Sequence, residues 1–105
     1  MEGMTYRIVI SERAKQMLAS HIRFLAKVSK SAAVEKKQQI VCEIRSLSQM
    51  PQRFPFFNEI YLPPNKYHKM YIEKWYLVLY QIRDDTVYVD YILDCRKDYS
   101  WLIPS

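Results

Sequence analysis

Apolar positions in this chain keep changing their period, and each change marks a candidate element. Over residues 5–10, Tyr6, Ile8 and Ile10 alternate with Arg7 and Val9, the two-residue period of a strand. Ser11 then offers a hydroxyl as a helix N-cap, with Glu12 in the first turn, where a negative charge suits the helix dipole. Ala14, Met17, Leu18, Ile22, Leu25 and Val28 recur at steps of three and four, predicting a helix over about residues 12–28. The tripeptide Ser-Lys-Ser at 29–31 breaks the pattern. A second helix is predicted over 32–49, with Ala33, Ile40, Ile44 and Leu47 as its buried stripe. Pro51 helps to end it, because the residue before a proline avoids helical geometry. So short a break makes the two helices an antiparallel hairpin.

The period returns to two in the second half. Residues 51–65 hold four prolines and read as a loop, with aromatic side chains tucked under the core. Residues 66–72 alternate, and residues 75–82 are apolar on both faces, as a central strand would be. A third strand follows at 86–93. Asp84 and Asp85 join the last two strands as a tight turn, which places Arg83 opposite Thr86 and Ile82 opposite Val87. Carried along both strands, this register puts Tyr76, Val78, Tyr80, Ile82, Val87, Val89, Tyr91 and Leu93 on the face under the helices. It leaves Leu77, Leu79, Gln81, Tyr88, Asp90 and Ile92 on a mixed, half-open face. The expected fold is therefore α+β: an N-terminal strand, an antiparallel helix hairpin and a three-stranded antiparallel meander. They form one sheet with the helices packed on one face, in a single domain over residues 1–105.

Composition narrows the function. The chain is half hydrophobic, which argues against disorder, and no apolar run reaches the roughly 18 residues of a membrane span. The N-terminal stretch lacks a basic segment followed by a long apolar one and does not read as a signal peptide, and Cys42 and Cys95 read as reduced thiols of a cytosolic protein. Gly3 is the only glycine. Phosphate-binding loops, dinucleotide fingerprints and nucleophile elbows need glycine where the backbone turns sharply or approaches phosphate, so none of them is encoded here. Cys42 and Cys95 are too few and too far apart for a disulfide framework or a zinc site, and neither His21 nor His68 has a metal-ligand context. No metal and no cofactor is expected. The net charge of +5 points to an acidic or polyanionic partner. The excess is local: residues 1–50 carry nine Lys/Arg against four Asp/Glu, while residues 51–105 carry seven of each.

Three stretches together resemble the RelE/ParE family of toxins from bacterial type II toxin–antitoxin systems. MTYRIVISERAKQML looks like the family's opening strand and helix. LSQMPQRFP is similar to its Leu-x3-Pro-x2-Phe-Pro segment. YHKMYIEKWYLVLYQIRDDTVYVDYILDCRKD is similar to its closing strands and the Asp-x-Arg-x-Asp that ends them. The resemblance covers residues 5–99. It implies a cytosolic toxin that arrests growth and is neutralised by an acidic, partly disordered antitoxin. One branch of the family cleaves mRNA on the ribosome; another, the ParE-like branch, inhibits DNA gyrase without a nuclease site.

The candidate site residues follow from that choice. RNA cleavage by 2′-hydroxyl attack needs a proton acceptor and cations for the phosphorane. At the sheet positions where RelE-like nucleases carry basic groups, this chain has His68, Met70 and Leu77. His68, with Arg96, Lys97 and Tyr99 beyond the last strand, is the catalytic set if the chain is a nuclease. Lys69, Arg96, Asp98 and Trp101, with Arg23 and Lys27 on the first helix, are the candidates for contact with target or antitoxin. The thin catalytic set favours the gyrase-directed, ParE-like action. The ribosome-dependent endoribonuclease and a non-toxic binding module of the same fold are the alternatives.

Overall fold

The computed structural model describes residues 5–59 and 62–95. Its elements run β1 (Arg7–Ile10), α1 (Glu12–Ala26), α2 (Lys30–Arg45), two 3-10 turns (Ser46–Ser48 and Pro51–Arg53), β2 (His68–Ile72), β3 (Tyr76–Arg83) and β4 (Thr86–Asp94). The expected α+β order is the observed one. The four strands form a single sheet in the order β1-β4-β3-β2, with β1 parallel to β4 and the other pairs antiparallel.

Both helices begin on a serine side chain. The Ser11 hydroxyl oxygen accepts from the Ala14 amide at 3.0 Å, and Ser29 does the same for Ala32 at 3.1 Å. A cap of this kind contributes about 0.5–2 kcal/mol. Ser29 therefore opens α2 at Lys30, two residues before the break in hydrophobic pattern suggested. The helix also ends earlier than predicted, at Arg45. The chain tightens into 3-10 geometry and turns at Met50, whose φ of 46° lies in the left-handed region. The Arg53 guanidinium holds that turn by donating to the carbonyls of Gln49 and Met50.

The core under the helices contains Leu18, Ile40, Ile44 and Leu47 against Met70, Val78, Tyr80, Val87, Val89 and Ile92. Tyr80 is fully buried, and its hydroxyl donates to the Pro51 carbonyl at 2.7 Å. Burial removes the solvation that a phenolate would need and pushes the Tyr80 pKa up.

The predicted hairpin register holds at its start: Ile82 pairs with Val87 and Arg83 with Thr86, around Asp84 at φ 55°. It does not continue. Leu79 pairs with Tyr91 but Tyr80 pairs with Val89, so Asp90 is an extra residue in β4. Such a bulge reverses the faces beyond it. Ile92 thus joins Val78 under the helices, whereas Tyr91 and Leu93 move to the opposite face, a correction to the faces read from simple alternation. There, Leu77, Leu79 and Leu93 are buried by Phe57 and Tyr67.

The bulge also settles how β4 ends. β1 stops at Ile10, opposite Val89, so among the described residues the last five of β4 have no strand on that side. Side chains at the start and middle of α1 replace it. Ser11 Oγ donates to the Asp90 carbonyl at 3.3 Å, and Nε2 of the buried His21 donates to the Ile92 carbonyl at 2.8 Å. A buried carbonyl without a partner would cost about 1–3 kcal/mol, so His21 is a structural substitute for a strand.

Candidate partner-binding groove

α2 carries two apolar stripes. The inner one, Ala33, Ile40 and Ile44, is buried in the core. The outer one steps by seven, from Val34 to Val41, and lies beside a second seven-residue step from Lys30 to Lys37. Together with Ile22 and Ala26 of α1, Val34 and Val41 line a groove of about 940 Å³ between the helices. Val34 is 56% exposed, a poor position for a valine unless something covers it. Lys30, Lys37 and Arg45 stand around this floor, and the Cys42 thiol opens into it.

A second hollow of about 410 Å³ shares Ile22 and Lys37 with the first and reaches Ile10 at the end of β1. Its charged lining is Lys15, Arg23 and Lys37. The two hollows thus form one apolar track whose lining holds five cations and no carboxylate. An amphipathic segment with acidic flanks matches this surface in both properties. The seven-residue steps were visible in the sequence; what hid the groove was the assumption that a helix buries only one stripe.

The predicted site residues that lie among the described ones, Arg23, Lys27, His68 and Lys69, do not converge. Arg23 lines the smaller hollow, and Lys27 sits exposed at the C-cap of α1 on the same side of the molecule. His68 is buried. Its ring stacks on Tyr80 at a centroid distance of 5.3 Å and lies 4.2 Å from Phe56, while Nδ1 donates to the Phe54 carbonyl at 2.8 Å. Met70 and Leu77, at the other two positions where a nuclease would carry basic groups, are buried in the two cores. Lys69 points to the other face of β2, with its Nζ 5.9 Å from the centre of the Phe57 ring. Arg96, Lys97, Asp98, Tyr99 and Trp101 lie outside the described residues.

The loop-covered face presents a different surface. Tyr67 and Tyr91 meet edge to face at 5.9 Å, and the Arg13 guanidinium lies 4.6 Å over the Tyr91 ring. Asp90 accepts from Gln81 Nε2 at 2.7 Å. Burial, aided by the Asp90 carboxylate, raises the Tyr67 hydroxyl pKa to about 12, so it is neutral at physiological pH. Among the described residues there is no group of three or more His, Cys, Asp or Glu side chains able to hold a metal, and no helix long and apolar enough to cross a membrane.

No curated protein matches the sequence. Among solved structures, the fold is similar to a chain of the chromosomal ParDE toxin–antitoxin system from P. aeruginosa. The TM-score is 0.71 at 13% identity, covering 86% of this chain and 96% of that one. The family model described as the ParE toxin of the type II toxin–antitoxin system parDE matches residues 8–99. A match over nearly the whole fold, in a chain whose strand, helix hairpin and meander follow the expected order, places this protein in the ParE toxin family.

Proposed function

We propose that this chain arrests growth by inhibiting DNA gyrase and is kept inactive by a cognate acidic antitoxin that occupies the groove between α1 and α2. The observation that carries the antitoxin half is the lining of the groove: an apolar floor ringed by Lys15, Arg23, Lys30, Lys37 and Arg45 with no acid among them. An antitoxin segment that orders on binding would lay its apolar residues on Ile22, Val34 and Val41 and its carboxylates against those cations. Its affinity should fall as salt rises, because the cations are exposed and screened.

The choice of gyrase over RNA is supported by the three sheet positions that a nuclease would use. His68 is stacked and hydrogen-bonded inside the protein, and Met70 and Leu77 are core residues. A proton acceptor needs hydrogen-bond access to the attacking hydroxyl, and none of the three side chains offers it. Contact with the target falls to the segment after β4, with Arg96 in the lead and Lys97, Asp98, Tyr99 and Trp101 beside it.

The test has two arms. The purified chain is incubated with gyrase and relaxed plasmid, and separately with translating ribosomes. Loss of supercoiling with intact mRNA supports the reading. Cleaved mRNA with normal supercoiling would establish the endoribonuclease instead. No effect in either arm, with no growth arrest on induction, would make the chain a non-toxic binding module. Within the gyrase arm, Arg96→Ala should reduce inhibition strongly, since losing one charge-assisted contact in a complex costs about 1.5–3 kcal/mol or more.

A further inference from the structure

The chain leaves the sheet at the end of β4, and that exit is held from two sides. β3 holds one of them: Tyr76 pairs with Asp94, and the Cys95 amide donates to the Trp75 carbonyl at 2.7 Å. On the other side β1 has already ended at Ile10, and the hold comes from α1, where Nε2 of His21 donates to the Ile92 carbonyl at 2.8 Å. His21 is 5% exposed, and its ring lies 5.7 Å from that of Tyr76, tilted by 50°. One imidazole therefore meets both strands at this end of the sheet, β4 through a hydrogen bond and β3 through a ring contact.

Packing alone does not call for a histidine at this place. The other buried residues of α1 are Ala14 and Leu18, and an apolar side chain at position 21 would cover Tyr76 without the cost of burying a polar ring. What an apolar side chain cannot give is direction. Apolar contact is non-directional, whereas an N–H···O bond weakens steeply as its angle falls below about 120°. Direction matters here because the β3–β4 ladder is interrupted just before this point. Asp90 is the extra residue of the bulge, and a bulge bends its strand. Past the bulge, the bearing of β4 depends on what holds its outer carbonyls: Ser11 holds Asp90, and His21 holds Ile92.

We infer that His21 is a positioning residue for target contact: its hydrogen bond to Ile92 sets the direction in which β4 delivers Arg96, four positions further along the chain. The inference rests on the reading that gives target contact to the segment after β4. His21 is too buried to touch a partner itself, so it acts through β4. A charge-assisted, bidentate contact of the kind expected of Arg96 tolerates little misorientation, and a strand end freed from α1 would present that residue over a spread of directions. The antitoxin surface is separate. Ile22 and Arg23, the next residues of α1, line the smaller hollow, and His21 does not. Loss of the His21 bond should therefore weaken inhibition of the target and leave binding in the groove alone.

Three variants of the full chain test this: His21→Leu, which keeps apolar bulk and removes the donor; His21→Gln, whose amide can donate to the same carbonyl; and Ile40→Val, which weakens the core under the helices away from the exit. For each, the melting temperature, the antitoxin affinity and the toxin concentration that half-inhibits gyrase supercoiling are measured. His21→Leu and Ile40→Val should both melt earlier and keep antitoxin affinity within about twofold. Only His21→Leu should raise the half-inhibitory concentration, by about tenfold or more, and His21→Gln should bring it back to within about threefold of wild type. A folded His21→Leu that inhibits as wild type does overturns the inference alone. Parallel loss of antitoxin affinity and inhibition, or a His21→Gln no better than His21→Leu, also overturns it, because His21 would then serve the fold in general or packing only. If His21→Leu does not fold, His21→Met is read in its place, and if neither folds the role is structural and the inference fails. A wild-type chain without effect on gyrase overturns the target reading and this inference together.

Discussion

On the loop side of the sheet, Leu77, Leu79 and Leu93 are sealed by Phe57 and Tyr67, and the rim is finished with Arg13 over Tyr91 and Lys69 near Phe57. On the helix side, the first layer is just as tight, with Ile40 and Ile44 buried, but among the described residues no second layer covers it. Val34 and Val41 line an open groove, Val34 is more than half exposed, and the charged residues lining the groove, Lys30, Lys37 and Arg45, are all positive. Stability alone would favour finishing both sides, since covering apolar area contributes about 25 cal/mol per Å². Among the described residues the chain seals one side with its own side chains and leaves the other apolar and cationic, and the proposed antitoxin site rests on that contrast.

The contrast can be broken at its strongest point first. Tyr80 lies in the finished core, so Tyr80→Ala removes a fully buried ring and its bond to Pro51, and should cost about 3–5 kcal/mol. That is a large part of the about 5–15 kcal/mol typical of a domain. Thermal or urea melting reads it directly, and wild-type melting would mean that Tyr80 does not face the helices.

A change on the unfinished side should behave in the opposite way. Val34→Glu puts a carboxylate at a groove position that is more than half exposed in the free toxin, so the melting curve should move by less than about 1 kcal/mol. Antitoxin affinity should nevertheless fall at least tenfold, because an acidic partner then meets a like charge on an apolar floor. Titration calorimetry of the variant separates the two effects. Unchanged affinity would remove the groove from the account.

The smallest effect belongs to the ion pair between Lys36 and Glu73, which ties α2 to the turn after β2. Hydrogen bonds from Lys36 and then Gln39 hold the Glu73 carboxyl below its ordinary 4.5. A depressed folded pKa means that any stabilisation from the pair is present above the unfolded value and is lost as pH falls below about 4.5. Glu73 is exposed, so Glu73→Gln should leave the melting temperature at neutral pH unchanged within error. A clear loss there would show that this surface contact matters more than its exposure allows.

How much of this was legible in the sequence differs between the two sides as well. The element order, the Ser11 cap, the inner stripe of α2 and the start of the β3–β4 hairpin all follow from local periodicity and were readable. The faces beyond Asp90 were not. A bulge adds one residue to one strand, and nothing in the alternation of residues 86–93 announces it; only the competition of Ser11, Gln81 and β3 for Asp90 fixes its place. His68 read as a candidate proton acceptor because a strand residue shows its neighbours in sequence and not its neighbours in space. Phe54, Phe56 and Tyr80 reach it from elsewhere in the chain and make it part of the interior. The groove was hidden for the opposite reason. Val34 and Val41 look like ordinary helix residues until the inner stripe is known to be complete without them.

The two cysteines happen to report on the two sides. Cys42 opens into the groove, and Cys95 packs against the loop-side core. Alkylation of both thiols, followed by mass spectrometry with and without saturating antitoxin, therefore tests the central claim in one experiment. The account predicts that antitoxin slows the modification of Cys42 at least tenfold and leaves the rate at Cys95 unchanged. Protection of Cys95 with Cys42 still fully reactive would contradict it, and would place the partner on the side that the chain has already sealed.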